Sequence, residues 1–424
     1  KTIADGDSIL EYIKDTASEA GIDRKIRFHH RVVATDWSTG DGRWNVTAER
    51  TDTGETVQLT AGFLFSCSGY YRYDHGYTPE FEGIERFGGQ IIHPQHWPDD
   101  LDYARKRVVV IGSGATAVTL VPALARTATH VTMLQRSPTY IASLPAKDPV
   151  ADVLRKVLPA RRANGLVRWM KALTTQGSYH FSKRWPNAMK KILRRMLERE
   201  LPKGYDIDLH FTPTYNPWDQ RLCVVPNGDL FKAIKKGTVT VATDTIRTFT
   251  ETGLLLESGA ELDADIIITA TGLELLFLGG IDLSVDGETV DLPSKLVYKG
   301  MMLEGVPNLA IAVGYTNASW TLKCDLTCDY VVRLLNHMRE AGVRQAMPVN
   351  RDAHMDTAPV LGLMSGYILR SAHRFPKQGS KFPWKVHQSY LRDYRTLKMT
   401  DLDDGTMQFS NPVPAEASLV AQAS

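Results

Sequence analysis

Apolar positions fall into two spacings along this chain, and the order in which those spacings alternate sets out its architecture. Between residues 7 and 20, Ile9, Leu10, Tyr12 and Ile13 recur at helical spacing, with Asp7 and Ser8 as a start signal and Gly21 as a stop. The period then drops to two. Short runs at 26–28, 31–34, 44–47, 57–59 and 63–65 are separated by turn clusters at 38–42 and 52–54, which predicts a β-meander closing in Cys67-Ser68-Gly69. An apolar run through Val108, Val109, Val110 and Ile111 leads into Gly112-Ser113-Gly114-Ala115-Thr116-Ala117, a helix at 118–125 and a strand at 130–134. After a long helical stretch, a second meander at 239–241, 245–249 and 253–257 precedes the apolar strand 266–269, which closes in Ala270-Thr271-Gly272.

The two halves end alike, each as the tail of a dinucleotide-binding domain. The chain therefore reads as α/β, with two dinucleotide-binding, Rossmann-like domains, one inserted in the other. Residues 1–105 and 265–424 form the outer domain and 106–264 the inserted one, with a helical insert at 150–210. Only the second tail follows a glycine loop. The first domain is thus expected to lack a βαβ unit of about 30 residues, and the chain to be incomplete at its N-terminus.

Composition changes little in this picture. At 424 residues and 43% hydrophobic, the chain has the makeup of an ordinary globular protein of two or three domains. A net charge of +2 gives a nucleic-acid role no global electrostatic support. The four cysteines, Cys67, Cys223, Cys324 and Cys328, show no metal-type pairing. No apolar run approaches the roughly 20 residues of a membrane span and Lys1 onward lacks a signal-peptide pattern, so the expected address is the cytoplasm. One segment departs from the balance. Between Arg155 and Arg199, basic residues interleave with Leu166, Trp169, Met170, Trp185, Met189, Ile192 and Leu193, which predicts basic amphipathic helices facing water, with peripheral membrane contact as the alternative.

The glycine loop carries the clearest chemistry. Gly112 permits a tight turn, Gly114 lets backbone amides approach a pyrophosphate, and Ala117 keeps the helix close to the strand; Ser113, Ala115, Thr116 and Val118 complete the loop and helix start. At the end of the next strand, Gln135-Arg136-Ser137 stands where an acidic residue would bind a ribose 2′-hydroxyl. A guanidinium at Arg136, beside Ser137, favours a 2′-phosphate and hence NADPH. His93 and His96 stand close enough in sequence for a metal pair, but Pro94 breaks the helix that would align them; no metal is expected.

Upstream of the loop, Phe87, Gly89, His93, Trp97 and Pro98 form F-x-G-x-x-x-H-x-x-x-W-P. This pattern, ahead of G-x-G-x-x-A, resembles the fingerprint of the Baeyer–Villiger monooxygenases, flavoproteins of class B. The likeness extends to Tyr215-Asn216-Pro217-Trp218-Asp219-Gln220-Arg221-Leu222, to 314–323 and to Pro376-Lys377-Gln378-Gly379-Ser380. Gln220 stands where many members have Lys, which narrows the resemblance to one subgroup. The resemblance implies that the inserted domain binds NADPH and the outer one FAD. It implies that Arg221 is the catalytic arginine, that Val32 lays a backbone amide against the FAD adenine, and that His93 and Trp97, with Phe87 and Gly89, couple domain motion. The 314–323 segment suits a pocket wall near the flavin.

The activity so implied is NADPH- and O2-dependent insertion of oxygen into a ketone through a C4a-peroxyflavin, giving an ester, with sulfides or thioamides as further substrates. The partners are then a small lipophilic ketone, sulfide or thioamide and O2. Three alternatives are a flavin monooxygenase confined to sulfur or nitrogen, a disulfide reductase, and an inactive NADPH-binding remnant without FAD. The disulfide reductase is disfavoured by the absence of C-x-x-C or C-x₄-C.

Overall fold

The computed structural model describes residues 3–411. The described residues divide into two compact units, one built on Arg72–Glu274 and the other on Ile9–Tyr71, Leu275–Gly362 and 369–411.

The first unit is organised by a five-stranded parallel sheet in the order Val239–Thr243, His130–Gln135, Arg107–Ile111, Ile266–Thr269, Gln90–Ile92. Parallel strands are covered on both faces, which is why Arg107–Ile111 and Ile266–Thr269 are apolar without alternation. On one face Val108, Val110, Ile266 and Ile268 pack against Ala117, Val118 and Val121 of the helix Ala115–Leu124 and against Phe231 of the helix Asp229–Lys235. On the other, Val109, Ile111 and Ile267 meet Phe249, Leu254 and Leu256 of an antiparallel meander, Ile246–Thr250, Gly253–Leu256 and Glu261–Asp263.

One sequence expectation shifts here. Residues 239–241 belong to the parallel sheet, where Val239 pairs with Val131, rather than to the second meander. Residues 72–105 pack within this compact unit, where Gln90–Ile92 bonds to the edge of Ile266–Thr269. The basic segment folds as the helices Pro149–Val157, Ala160–Arg184 and Pro186–Glu200.

The second unit holds a mixed sheet in the order Glu288–Thr289, Asp282–Val285, His30–Ser38, Arg43–Arg50, Thr56–Ala61. Trp37 and Trp44 face each other across two of these strands with ring centres 5.6 Å apart and no exposed surface. The run 26–28, expected as a strand, is not one; a short 3-10 turn at Asp23–Lys25 precedes it and the ladder begins at His30. Leu64–Ser66 pairs in parallel with Leu309–Ile311, and the helices Trp320–Glu340 and Tyr390–Lys398 pack together.

Candidate functional site: the glycine loop and the arginine turn

Gly112 is required twice over. Its φ is +130°, outside the range that side chains favour, and a Cβ there would sit 2.3 Å from the Ala270 carbonyl oxygen. Its N–H donates to the Leu134 carbonyl at 2.7 Å, which pins the loop between two strands. Gly114 caps the helix Ala115–Leu124 with an extended backbone and nothing within 4 Å of a would-be Cβ. The loop is thus closed below and open above. Gly114, Ala115 and Thr116 are exposed, and the first-turn N–H groups have no partners within the helix, as an anion site needs. Ala117 and Val118 behave differently. Both are buried and seat the helix on the sheet, and the Val118 N–H is already bonded to the Gly114 carbonyl at 3.1 Å.

Ser113 ties the loop to the next turn, its Oγ lying 3.0 Å from Thr139 Oγ1 and donating to the Ser137 carbonyl at 3.4 Å. This contact brings 136–137 beside the loop. Arg136 is exposed and makes no ion pair among the described residues, leaving its guanidinium available for an anionic ligand. Gln135, which sequence reasoning set aside, is 2% exposed and donates to the His210 carbonyl and Thr243 Oγ1.

The fingerprint residues pack within the same unit. Phe87 lies edge-on to Phe249 at 6.5 Å, and a Cβ on Gly89 would meet the Asp265 carbonyl oxygen at 2.4 Å. His93 caps the 3-10 turn Pro94–His96, its Nδ1 accepting from the Gln95 N–H at 3.2 Å, and its ring covers Gly76 so closely that a Cβ there would fall 2.1 Å away. Burial holds the His93 imidazole below its ordinary range. Trp97 is half-buried against the sheet core, edge-on to Tyr103. No group of three His, Cys, Asp or Glu among the described residues could hold a metal.

Arg221 follows a turn built by Asp219. The Asp219 N–H donates to the Asn216 carbonyl at 3.0 Å, Asp219 Oδ2 accepts from the Asn216 N–H at 3.1 Å, and Lys183 Nζ lies 2.8 Å from Oδ1. Burial works to raise the Asp219 pKa, but Lys183 and the Asn216 N–H outweigh it and hold the carboxyl below its ordinary value. Downstream, Cys223 is fixed by its N–H to the Tyr140 carbonyl, and burial pushes its thiol up to about 11 against the opposing charge of Arg221. Arg221 itself is half-buried and has no ion pair among the described residues.

In the second unit, Val32 pairs with Ala48 on one side, while the parallel neighbour Asp282–Val285 reaches only to Ala34; among the described residues no strand lies beside Val32 on that edge. Gly314, Tyr315 and Lys323 of the 314–323 segment line an apolar pocket with Tyr70, Phe277, Met301, Leu361 and Phe375. Sequence reasoning missed the polar cluster in its wall. Lys323 Nζ lies 2.9 Å from Asp393 Oδ2, to which Tyr315 donates at 2.8 Å, all nearly fully buried. A lone Asp seventy residues from its lysine leaves no signal in the sequence.

Residues 3–313 match the family model described as flavin-binding monooxygenase-like. The FAD-containing monooxygenase EthA of Mycobacterium tuberculosis (strain CDC 1551 / Oshkosh) is 54% identical over 416 residues, covering 98% of this chain and 85% of that protein. The probable FAD-binding monooxygenase AlmA of Acinetobacter baylyi is 48% identical over 410 residues, 96% of this chain and 82% of its own. Among solved structures, an oxidised steroid monooxygenase bound to NADP matches with a TM-score of 0.72 at 20% identity, over 96% of this chain and 85% of that one. OTEMO in complex with FAD and NADP matches with 0.69 at 19%, over 96% and 86%. At such identities the likeness to solved structures concerns the fold.

Proposed function

Because the chain belongs to the flavin-binding monooxygenase-like family, we propose that it is an FAD- and NADPH-dependent monooxygenase of the Baeyer–Villiger type. Its substrates on this reading are small lipophilic ketones, with sulfides or thioamides oxygenated as well, and O2.

Bound FAD supplies hydride acceptance and oxygen activation, chemistry that no side chain offers. The residues of this chain divide the remaining work. The loop 112–117 holds the NADPH pyrophosphate through first-turn amides, and Arg136 grips the 2′-phosphate with a fork of donors. Val32, with an open strand edge, takes the FAD adenine. His93 and Trp97, with Phe87 and Gly89, couple motion of the two domains. Arg221 stabilises negative charge on oxygen during insertion, since a guanidinium stays protonated at any working pH and can serve two oxygens at once.

Arg221 supports the reading most directly. A half-buried cation with no ion pair among the described residues, on a turn fixed by Asp219 and Lys183, suits an anion that arrives only during the reaction. Turnover under ¹⁸O2 with NADPH, FAD and an aliphatic ketone should give an ester carrying one labelled oxygen. An unlabelled product, or NADPH oxidation without ester at any ketone tried, sinks the proposal; sulfoxide from a thioether alone would move the protein to the heteroatom-oxidising type.

A further inference from the structure

Three consecutive helices, Pro149–Val157, Ala160–Arg184 and Pro186–Glu200, combine a concentrated positive charge with exposed apolar side chains. Residues 149–200 carry thirteen Lys and Arg against three Asp and Glu, a net +10 in a chain whose total is +2, so everything else sums to −8. The same helices leave apolar side chains in water: Val153 is 58% exposed, Val157 69%, Leu166 50%, Trp185 53% and Ile192 44%. These are not scattered. Val150, Val153 and Val157 follow i, i+3, i+7 along one helix and so form a single row, and the exposed Ala188 and Ile192 lie one turn apart on the helix that Trp185 caps.

Internal pairing does not consume the charge. Lys171 pairs with Asp148 and Lys183 with Asp219. Lys156, Arg161, Arg162, Lys191 and Arg195, however, are exposed and make no ion pair among the described residues, and Arg184 lies over the Trp185 ring at 5.6 Å. A basic face edged with exposed aliphatic rows and an indole has the chemistry of a helix lying in a lipid headgroup layer.

We propose that this helical segment docks the protein on an anionic phospholipid surface, its apolar rows entering the headgroup boundary and its unpaired cations facing lipid phosphates. A nucleic acid would use the cations but gain nothing from Val153, Val157 and Ile192. A second copy meeting the same face would cover the apolar rows while setting +10 against +10. Anionic lipid satisfies both features together. The contact is with a surface: these helices are amphipathic, and no described helix is long and apolar enough to cross a membrane.

Flotation of the FAD-loaded protein reads the proposal, using vesicles of equal phosphatidylglycerol and phosphatidylcholine against phosphatidylcholine alone. The parent protein should float only with the anionic vesicles and be released by salt of about 0.5 M, which shortens the screening length to a few ångström. Neutralising three cations in Lys156→Gln/Arg161→Gln/Arg162→Gln should lower the partition constant on the order of a hundredfold. Val153→Ser/Val157→Ser, which keeps every charge, should lower it about tenfold. Brominated lipid should quench the parent more than Trp185→Phe. All these positions are exposed, so an unchanged melting temperature and NADPH oxidation rate confirm that each variant is folded. No flotation at low salt, equal flotation with neutral vesicles, or anionic binding that Val153→Ser/Val157→Ser leaves intact while duplex DNA competes it away would each overturn the proposal.

Discussion

Lys183 Nζ lies 2.8 Å from Asp219 Oδ1, joining the long basic helix Ala160–Arg184 to the turn that presents Arg221. Asp219 bonds to Asn216 from both its backbone and its carboxylate, so one side chain fixes turn and helix together. Asp219→Ala should therefore cut ester formation about tenfold with the KM for NADPH unchanged, because only the aim of Arg221 suffers. Lys183→Gln should show a milder form of the same split. Acid acts similarly. The folded Asp219 carboxyl titrates below its ordinary value of 3.8, so its stabilisation is complete above 3.8 and disappears as pH falls through the lower folded value. Melting curves of parent and Asp219→Asn should converge in that acid window and separate above it; a constant separation would show that the carboxylate charge is not what holds the turn.

Arg136→Ala should raise the KM for NADPH by about one to two decades, the worth of a charge-assisted contact, and leave that for NADH nearly unchanged. Only NADPH carries the 2′-phosphate. Steady-state kinetics with both nucleotides decide it, and equal effects would remove Arg136 from the cofactor site.

Replacing Arg221 by Ala should leave NADPH oxidation running while ester disappears and hydrogen peroxide takes its place. Arg221→Lys should recover little, since an ammonium lacks the planar fork. Product chromatography alongside a peroxide assay measures the partition; ester at the parental rate would leave the charge that builds on oxygen without its proposed partner.

The buried pair Lys323 and Asp393 makes a stability prediction. Asp393→Ala strands an ammonium in the cavity wall and should cost about 3–5 kcal/mol, whereas Lys323→Met/Asp393→Leu should recover most of it. Tyr315→Phe removes one donor to the carboxylate and should cost about 1 kcal/mol. Urea unfolding of the four proteins tests the order; a double variant as unstable as the single would show that packing, not charge, is at issue.

Legibility in the sequence followed the range over which each constraint acts. The loop 112–117 was readable because Gly112 and Gly114 answer local demands, a positive φ and an open helix end, that leave few residue choices. Arg136 and Arg221 could be singled out as residues, but not the absence of ion pairs around them, which depends on where distant carboxylates fold. The strand 239–241 was misplaced because alternation specifies a strand without naming its partner, and Val131 lies more than a hundred residues away. The pairing of Ile266 with Gln90, which makes Gln90–Ile92 within the fingerprint an edge strand, was hidden likewise. Lys323 with Asp393 required the packed structure altogether.

The helical segment also changes what the net charge of +2 means in solution. With +10 gathered on residues 149–200 and −8 spread over the remainder, the total charge describes neither part of the chain. Such a molecule should be retained at neutral pH by cation-exchange and anion-exchange resins alike. At low ionic strength the basic helices of one molecule are drawn to acidic surface on the next, so concentrated stocks should turn turbid on desalting and clear again as salt is restored.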